Sequence, residues 1–286
     1  MQRIRSRFLC SLQAVLILFA HVVYGADSGL SVDELVARHL ESIGPAAARS
    51  GIKSRVVQGT AVYRILVGGS GSVDGKTGMV SEGNKLRFMT KFPRADYRGE
   101  QFVFNDGKME IAFANSNQTR SPFAEFIRTQ DAILREGLFG GSLSTGWALL
   151  DVGGRKAKLA YEGLKKIDGK DVHQLRYEPH KRSDLSIHIY VDAETFRHVG
   201  TVYTLDIASN VGQEITQSAK QRPERLRLEE KFGDFQEFDG LRLPKHWDIQ
   251  FTRELPSGDT TVFEWDLKEE QITNNVGLDP RNFEVK

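Results

Sequence analysis

Four kinds of residue in this chain have spacings that could do chemistry: a glycine-rich run, a pair of serines, scattered histidines and adjacent carboxylates. Gly68–Gly78, GGSGSVDGKTG, ends in Gly75-Lys76-Thr77, the residue types that cradle phosphate in a P-loop. The spacing fails, because Ser70 stands five residues before Gly75. Context fails too, since Met79–Phe92 reads as strand where a phosphate loop must open a helix. A hairpin loop at the sheet edge is the reading. Gly141-Ser142-Leu143-Ser144-Thr145-Gly146 has the outline of a nucleophile elbow for acyl transfer. Around Ser144, however, Ser142 occupies a position that needs glycine, and no strand clearly feeds the turn. An N-cap role for Ser144, at a short helix holding Trp147, accounts for it. A serine hydrolase using Ser142 or Ser144 stands only as an alternative.

No CxxC or HExxH is present, and His173, His180 and His246 are scattered, so the expected metal set is none. In the 185–208 hairpin the apolar register puts His188 opposite Val202 and His198 opposite Asp192. The second pair reads as a surface contact worth at most about 1 kcal/mol. Glu229-Glu230 and Glu269-Glu270 are adjacent, so in strands they face opposite sides and cannot form a glycosidase couple. They read as solvated edge residues. Asn117-Gln118-Thr119 is a glycosylation sequon. No catalytic residue and no cofactor is expected.

What remains is apolar, and strands must position it. Asp239-Gly240 calls for a two-residue type I′ turn. Closing it pairs Phe238 with Leu241, Phe232 with Trp247 and Leu228 with Phe251, and so gathers large side chains on one face. Trp247, Ile249 and Phe251 then meet Leu267, Trp265 and Phe263 across the loop at 255–259. Strands read at about 52–66, 72–81, 84–92, 96–105, 108–114, 156–167, 170–178, 185–192, 197–208, 223–238, 241–253 and 260–271, with Asp106-Gly107 and Asp168-Gly169 as further hairpin turns. Their hairpins join sequence neighbours, which predicts a mainly β, antiparallel meander. A sheet of 11–12 strands curls, giving an unclosed half-barrel.

Two helical stretches punctuate the β pattern. Ser31 and Glu34 form a capping box before Leu35, Val36, His39, Leu40 and Ile43, and Gly44-Pro45 ends that helix. Within 115–150, Phe123, Phe126, Ile127, Ile133 and Leu134 fall on one helical face from about Pro122 to Glu136. Glycines at 137, 140 and 141 follow. This insertion reads as a lid across the open side of the sheet. The predicted apolar lining comprises Phe88, Phe92, Phe113, Trp247, Phe251, Phe263 and Trp265 on the sheet, with Phe123, Phe126, Ile127, Leu134, Leu138, Phe139 and Trp147 on the lid. Barrel mouths of this kind commonly hold small apolar ligands.

The N-terminus reads as export machinery. Arg3, Arg5 and Arg7 precede the apolar stretch Leu12–Val23, and Val23-Tyr24-Gly25 offers a cleavage site, so 1–25 is a secretory signal peptide and 26–286 one folded domain. The sole cysteine, Cys10, leaves with the signal. An exported chain without disulfides must rest on core burial, and at this length about 70–75% of the unfolded surface can be buried. The absence of cysteine fits a bacterial periplasm. The 39 Lys and Arg against 38 Asp and Glu become a slight acidic excess once the three N-terminal arginines leave. That balance argues against nucleic acid as a partner.

Several stretches together resemble the LolA/LolB-like superfamily of periplasmic lipoprotein-sorting proteins, which includes the RseB-like regulators. They are the helix ending Ile43-Gly44, Gln58-Gly59-Thr60, Tyr190-Val191-Asp192-Ala193-Glu194-Thr195, Phe232-Gly233-Asp234-Phe235, Asp239–Pro244 and Asn275–Asp279 with Phe283. The resemblance is made of turns and spacing and spans most of 26–286. It implies an unclosed β-barrel with a helical lid, an apolar cavity for acyl chains, no enzymatic activity and no metal. The function so implied is a periplasmic carrier or binding protein for a lipid-like or acylated ligand, a monomer with peripheral membrane contact. An RseB-like sensor with an envelope protein partner is the alternative. The longer Gly68–Gly78 loop and the 115–150 insertion depart from LolA itself.

Overall fold

Period-two alternation becomes strand along most of the chain. The structure is a computed structural model that describes residues 29–112, 120–208 and 223–285. The expected signal segment with Cys10, and Phe113 and the Asn117 sequon, lie outside the described residues.

The described residues open with α1 (Val32–Ile43) and α2 (Ala46–Gly51) and continue through β1 (Ser54–Val67), β2 (Gly71–Glu82), β3 (Lys85–Lys91), β4 (Gln101–Asn105) and β5 (Lys108–Ile111). Then come α3 (Pro122–Thr129), α4 (Ala132–Arg135) and α5 (Val152–Arg155), with 3-10 turns at Gly141–Leu143 and Ala148–Leu150. Strands resume as β6 (Lys158–Ile167), β7 (Lys170–Glu178), β8 (Ser186–Asp192), β9 (His198–Ile207) and β10 (Glu224–Gly233). The remainder is β11 (Gln236–Phe238), β12 (Leu241–Leu243), β13 (His246–Glu254), β14 (Thr260–Asn274) and a 3-10 turn at Pro280–Phe283.

Among the described residues one 12-stranded sheet runs β5-β4-β3-β2-β1-β14-β13-β10-β9-β8-β7-β6, and β11-β12 form a separate ribbon. Every pairing is antiparallel, and the end strands β5 and β6 do not pair with each other. The unclosed sheet is thus present, with one refinement of the meander. The last long strand returns to the middle, where β14 pairs with β1 from Asn274 opposite Arg55 to Val262 opposite Val67.

Turn chemistry sets the registers. Asp106-Gly107, Asp168-Gly169 and Asp239-Gly240 all have positive φ at both residues, the requirement of a type I′ hairpin. Phe238 consequently faces Leu241, Phe232 faces Trp247, and Leu228 faces Phe251, the expected register. Trp247, Ile249 and Phe251 likewise meet Leu267, Trp265 and Phe263. Alternation then buries Trp247, Ile249, Phe251, Trp265 and Leu267 together.

At α1, Ser31 Oγ accepts the Glu34 N–H at 3.1 Å, and Leu35, His39 and Ile43 turn inward at intervals of four. The Glu34 carboxylate pairs with Arg38 rather than returning to the cap. Three expectations shift in detail. Gly71–Gly78 is ladder, paired along β1 from Gly71 opposite Ile65 to Gly78 opposite Gln58, which leaves a loop of 68–70 only. The helix expected from Pro122 to Glu136 breaks at Gln130 into α3 and α4, and the Trp147 helix is a single 3-10 turn. The tail docks by burying Phe283.

Candidate functional site

The concave face of the sheet is aromatic, and residues 120–150 lie on it. Ser121 caps α3 by accepting the Ala124 N–H at 2.9 Å, and Pro122 sits in the first turn, where its missing N–H costs nothing. That start aims Phe123 and Phe126 at the sheet. The Phe123 ring centre lies 4.8 Å from that of Trp265, 5.2 Å from Phe102 and 5.9 Å from Phe251, while Phe126 lies 5.4 Å from Phe251. Phe139 sits 5.0 Å from Trp247 and 5.1 Å from Phe88. Ile127, Leu134 and Leu138 are buried with them.

Of the predicted lining, Phe92 packs on Tyr63 and Tyr97, and Phe263 on Tyr63. Trp147 goes elsewhere: its ring stacks on His198 with centres 4.5 Å apart, and its N–H reaches His39. Every predicted lining residue that is described belongs to, or packs against, one continuous apolar cluster. The lid fills the face it covers. Open space remains at the two flanks of α3, as a cleft of about 260 Å³ walled by Tyr63, Tyr97, Phe123, Phe263 and Trp265, and one of about 320 Å³ beside Phe126, Leu205, Leu226 and Phe251.

Buried carboxylates pin the segment. The Glu100 carboxylate accepts from Ser121 Oγ at 2.6 Å and from Tyr97 OH at 2.9 Å, and Tyr97 OH in turn accepts the Trp265 indole N–H at 2.7 Å. Burial pushes Glu100 up to about 7, against the two hydroxyl hydrogen bonds. At the other end of the lid, Glu230 accepts the Gly140 N–H at 2.8 Å and Tyr203 OH at 2.7 Å. Burial raises it to about 8. Between them Tyr177 OH donates to Glu136 at 3.0 Å. Arg55, buried and lowered to about 10 by desolvation, donates to the Ser142 and Leu143 carbonyls at 2.7 and 3.1 Å.

These pins correct two sequence expectations. Glu230 and Glu269 are buried, not solvated; burial raises Glu269 also to about 8. Alternation carried the signal for Glu230, which stands between Leu228 and Phe232 on the inward phase of β10. His198 is buried and does not meet Asp192. A bulge after Tyr190 puts Val191 opposite His198 and turns the imidazole inward, where Nε2 contacts Gly200 O at 3.0 Å and Thr201 Oγ1 at 2.8 Å. Burial, then the neighbouring His39, pushes His198 well below its ordinary value.

Ser144 Oγ accepts the Gly146 N–H at 3.1 Å, so it satisfies an amide, although it caps no helix. His39 engages Phe196 O and Trp147, and the bond given to the Ser144 hydroxyl is to the Gly146 amide, not to an imidazole. Among the described residues no three His, Cys, Asp or Glu side chains converge as metal ligands, and no helix is long and apolar enough to cross a membrane.

No family model matches the chain, and no curated protein matches it. Several solved structures are similar to it. One is an outer membrane lipoprotein-sorting protein domain from Vibrio parahaemolyticus, at 12% identity and a TM-score of 0.44, covering 87% of this chain and 95% of that one. A LolA superfamily protein from Nitrosomonas europaea gives 14% identity, a TM-score of 0.41, and 88% and 97% coverage. The MucA/MucB complex of Pseudomonas aeruginosa gives 11% identity, a TM-score of 0.21, and 85% and 99% coverage. At such identities and scores the likeness carries no argument about function.

Proposed function

We propose that this protein is a periplasmic carrier or binding protein for a lipid-like or acylated ligand, not an enzyme, and that the 120–150 lid lifts to admit that ligand to the aromatic inner face. One observation carries the reading: the lid supplies the aromatic cover of an unclosed sheet, yet none of its residues belongs to the sheet ladder. Lifting it would leave every strand pairing intact. Its helices are short and joined by glycines with positive φ at 137, 140 and 141, conformations that glycine adopts without strain. Exposing a face this apolar to water is costly, at about 25 cal/mol per Å². A ligand with acyl chains would remove that cost by replacing the lid's side chains, and the two clefts beside α3 offer the chains a starting point.

The test is native mass spectrometry of protein purified from its own host, alongside titration with a fluorescent acyl probe. A lipid adduct and saturable binding are expected. Absence of both overturns the reading.

A second reading, an envelope sensor acting through a protein partner, draws on the edge strand β6 (Lys158–Ile167), unpaired on one side among the described residues, which an extended partner segment could join. Crosslinking in cells would show a single dominant partner in that case and none for a pure carrier.

A further inference from the structure

The outer face of the sheet holds a cavity separate from the lidded inner face, and the end of the β6–β7 hairpin builds it. Gly163, with φ of +86°, interrupts the β6–β7 ladder between Tyr161 and Leu164, and a bulge of this kind bends its strand. The Asp168-Gly169 turn then reaches across the outer face. Asp168 Oδ2 lies 2.9 Å from Lys231 Nζ, although β8 and β9 stand between β7 and β10. Lys231 points outward because Glu230 and Phe232 on either side of it turn inward. Under this arch the outer face is apolar. Val172 and Val202 are 3% and 7% exposed, and Tyr190 and Val199 are half-buried beside them. Gly200 stands opposite Tyr190 on one side and Lys231 on the other, and bears no side chain. A methyl group there would lie 2.8 Å from Glu230 O, so the floor dips at this point. The cavity amounts to about 560 Å³, within the range of small-molecule sites.

Charge at the rim is unequal. Four cations, Lys166, Lys170, Arg227 and Lys231, meet three outward acids, Asp168, Asp192 and Glu229. The acids are already engaged. Asp168 holds Lys231, Glu229 holds Arg227 at 2.8 Å, and Asp192 Oδ1 accepts the Thr195 N–H and hydroxyl at 2.8 and 2.7 Å. The Glu230 carboxyl belongs to the inner face, with Gly140 and Tyr203. Lys166 reaches Asp171 only at 3.9 Å. Lys170 feels the charge of Asp192 but closes no ion pair among the described residues. We infer that this cavity is a second ligand site, and that its ligand is an amphipathic monoanion, a compact apolar body bearing one carboxylate. The inference goes beyond the carrier reading and does not rest on it. Val172, Val199 and Val202 would take the apolar body by burial. Lys170 would take the carboxylate as a mobile point charge, which needs no fixed geometry at the rim. One cation in excess matches one negative charge. A phosphate monoester, at about −1.5 to −2, would exceed it.

Three naphthalene probes of one size test this by titration calorimetry on the full protein: naphthoate, naphthalenemethanol and naphthylmethylamine. The carboxylate is expected to bind about tenfold more tightly than the alcohol, and the amine most weakly. Lys170→Gln, at an exposed position, should bring the carboxylate down to the affinity of the alcohol. Val199→Trp should fill the cavity and abolish binding of all three, while a fluorescent acyl probe at the inner face binds as before. Melting curves establish that each variant folds, and the comparison of probes on the wild type needs no variant. Equal affinities for carboxylate and alcohol overturn the inference, as does a preference that survives Lys170→Gln. Undiminished binding to a folded Val199→Trp variant would place the probes elsewhere and overturn it too. So would the failure of every naphthalene probe to bind. The acyl probe reads the carrier function separately, so either reading can fail alone.

Discussion

The Trp147 indole N–H donates to His39 Nε2 across 2.9 Å and joins the lid to α1. The bond sets the tautomer, since Nε2 must be bare and Nδ1 then donates to Phe196 O at 3.0 Å. Burial, against the Phe196 bond, lowers His39 to about 4, so the neutral ring persists through ordinary pH. Trp147→Phe keeps an aromatic ring but leaves His39 Nε2 unpaired inside the core. A loss of about 1–3 kcal/mol is expected, read as a lower urea midpoint at constant slope. An unchanged midpoint would show that the bond contributes nothing.

Stability should fall as pH rises from about 6.5 to 8. Glu100, Glu230 and Glu269 are acids raised above their ordinary value, Glu100 to about 7 and the other two to about 8. The folded state therefore holds protons that the unfolded state has released, and stability present below about pH 4.5 is lost as pH climbs through the folded values. His39 and His198 are bases lowered in the fold. Their contribution is lost in the opposite direction, as pH falls below about 6.5. Above that point only the acids change the balance. Thermal unfolding of Glu230→Gln should show a flatter decline over this window than the wild type, and an equal slope would remove Glu230 from the account.

Gly141→Ala should loosen the lid. The new methyl group would lie 2.4 Å from His198 Nδ1, and φ of +51° disfavours any side chain there. The expected cost is about 1–3 kcal/mol. Hydrogen exchange should accelerate at amides 137–147 while those of β13 and β14 stay protected. Uniform acceleration across the sheet would mean that lid and sheet open as one unit.

Gly240→Ala tests the hairpin alone. Gly240 has φ of +75°, and an added methyl meets Ala48 only at the ordinary distance of 3.7 Å. Strain in the backbone is then the whole effect, roughly 1–2 kcal/mol by equilibrium unfolding. A loss well beyond that would mean that the turn holds more than its own register.

Much of this architecture is legible in local chemistry, as particular residues show. Asp239-Gly240 determines a type I′ turn from two residues, and pairing outward from it places Phe232, Trp247, Leu228 and Phe251 on one face without any tertiary information. The aromatic face was legible for the same reason. Its filling was not, because helical spacing in Phe123, Phe126 and Ile127 shows an apolar stripe without showing how deeply the stripe sinks into the sheet.

Glu230 marks the boundary between the two kinds of information. Alternation alone put it inward, in phase with Leu228 and Phe232, and its charge alone argued for water. Only the tertiary structure decided between them, by bringing the Gly140 N–H and Tyr203 OH from distant segments to a carboxylate that burial holds protonated up to about pH 8. His198 was decided in the same way, by a bulge after Tyr190 that slips the ladder by one residue and turns the ring inward. Local sequence determines which side chains share a face, because turns and period-two geometry act over a few residues. What covers that face, and which polar atoms are satisfied beneath the cover, depends on contacts between residues 21 to 168 positions apart, as in Ser121 with Glu100 and Trp265 with Tyr97.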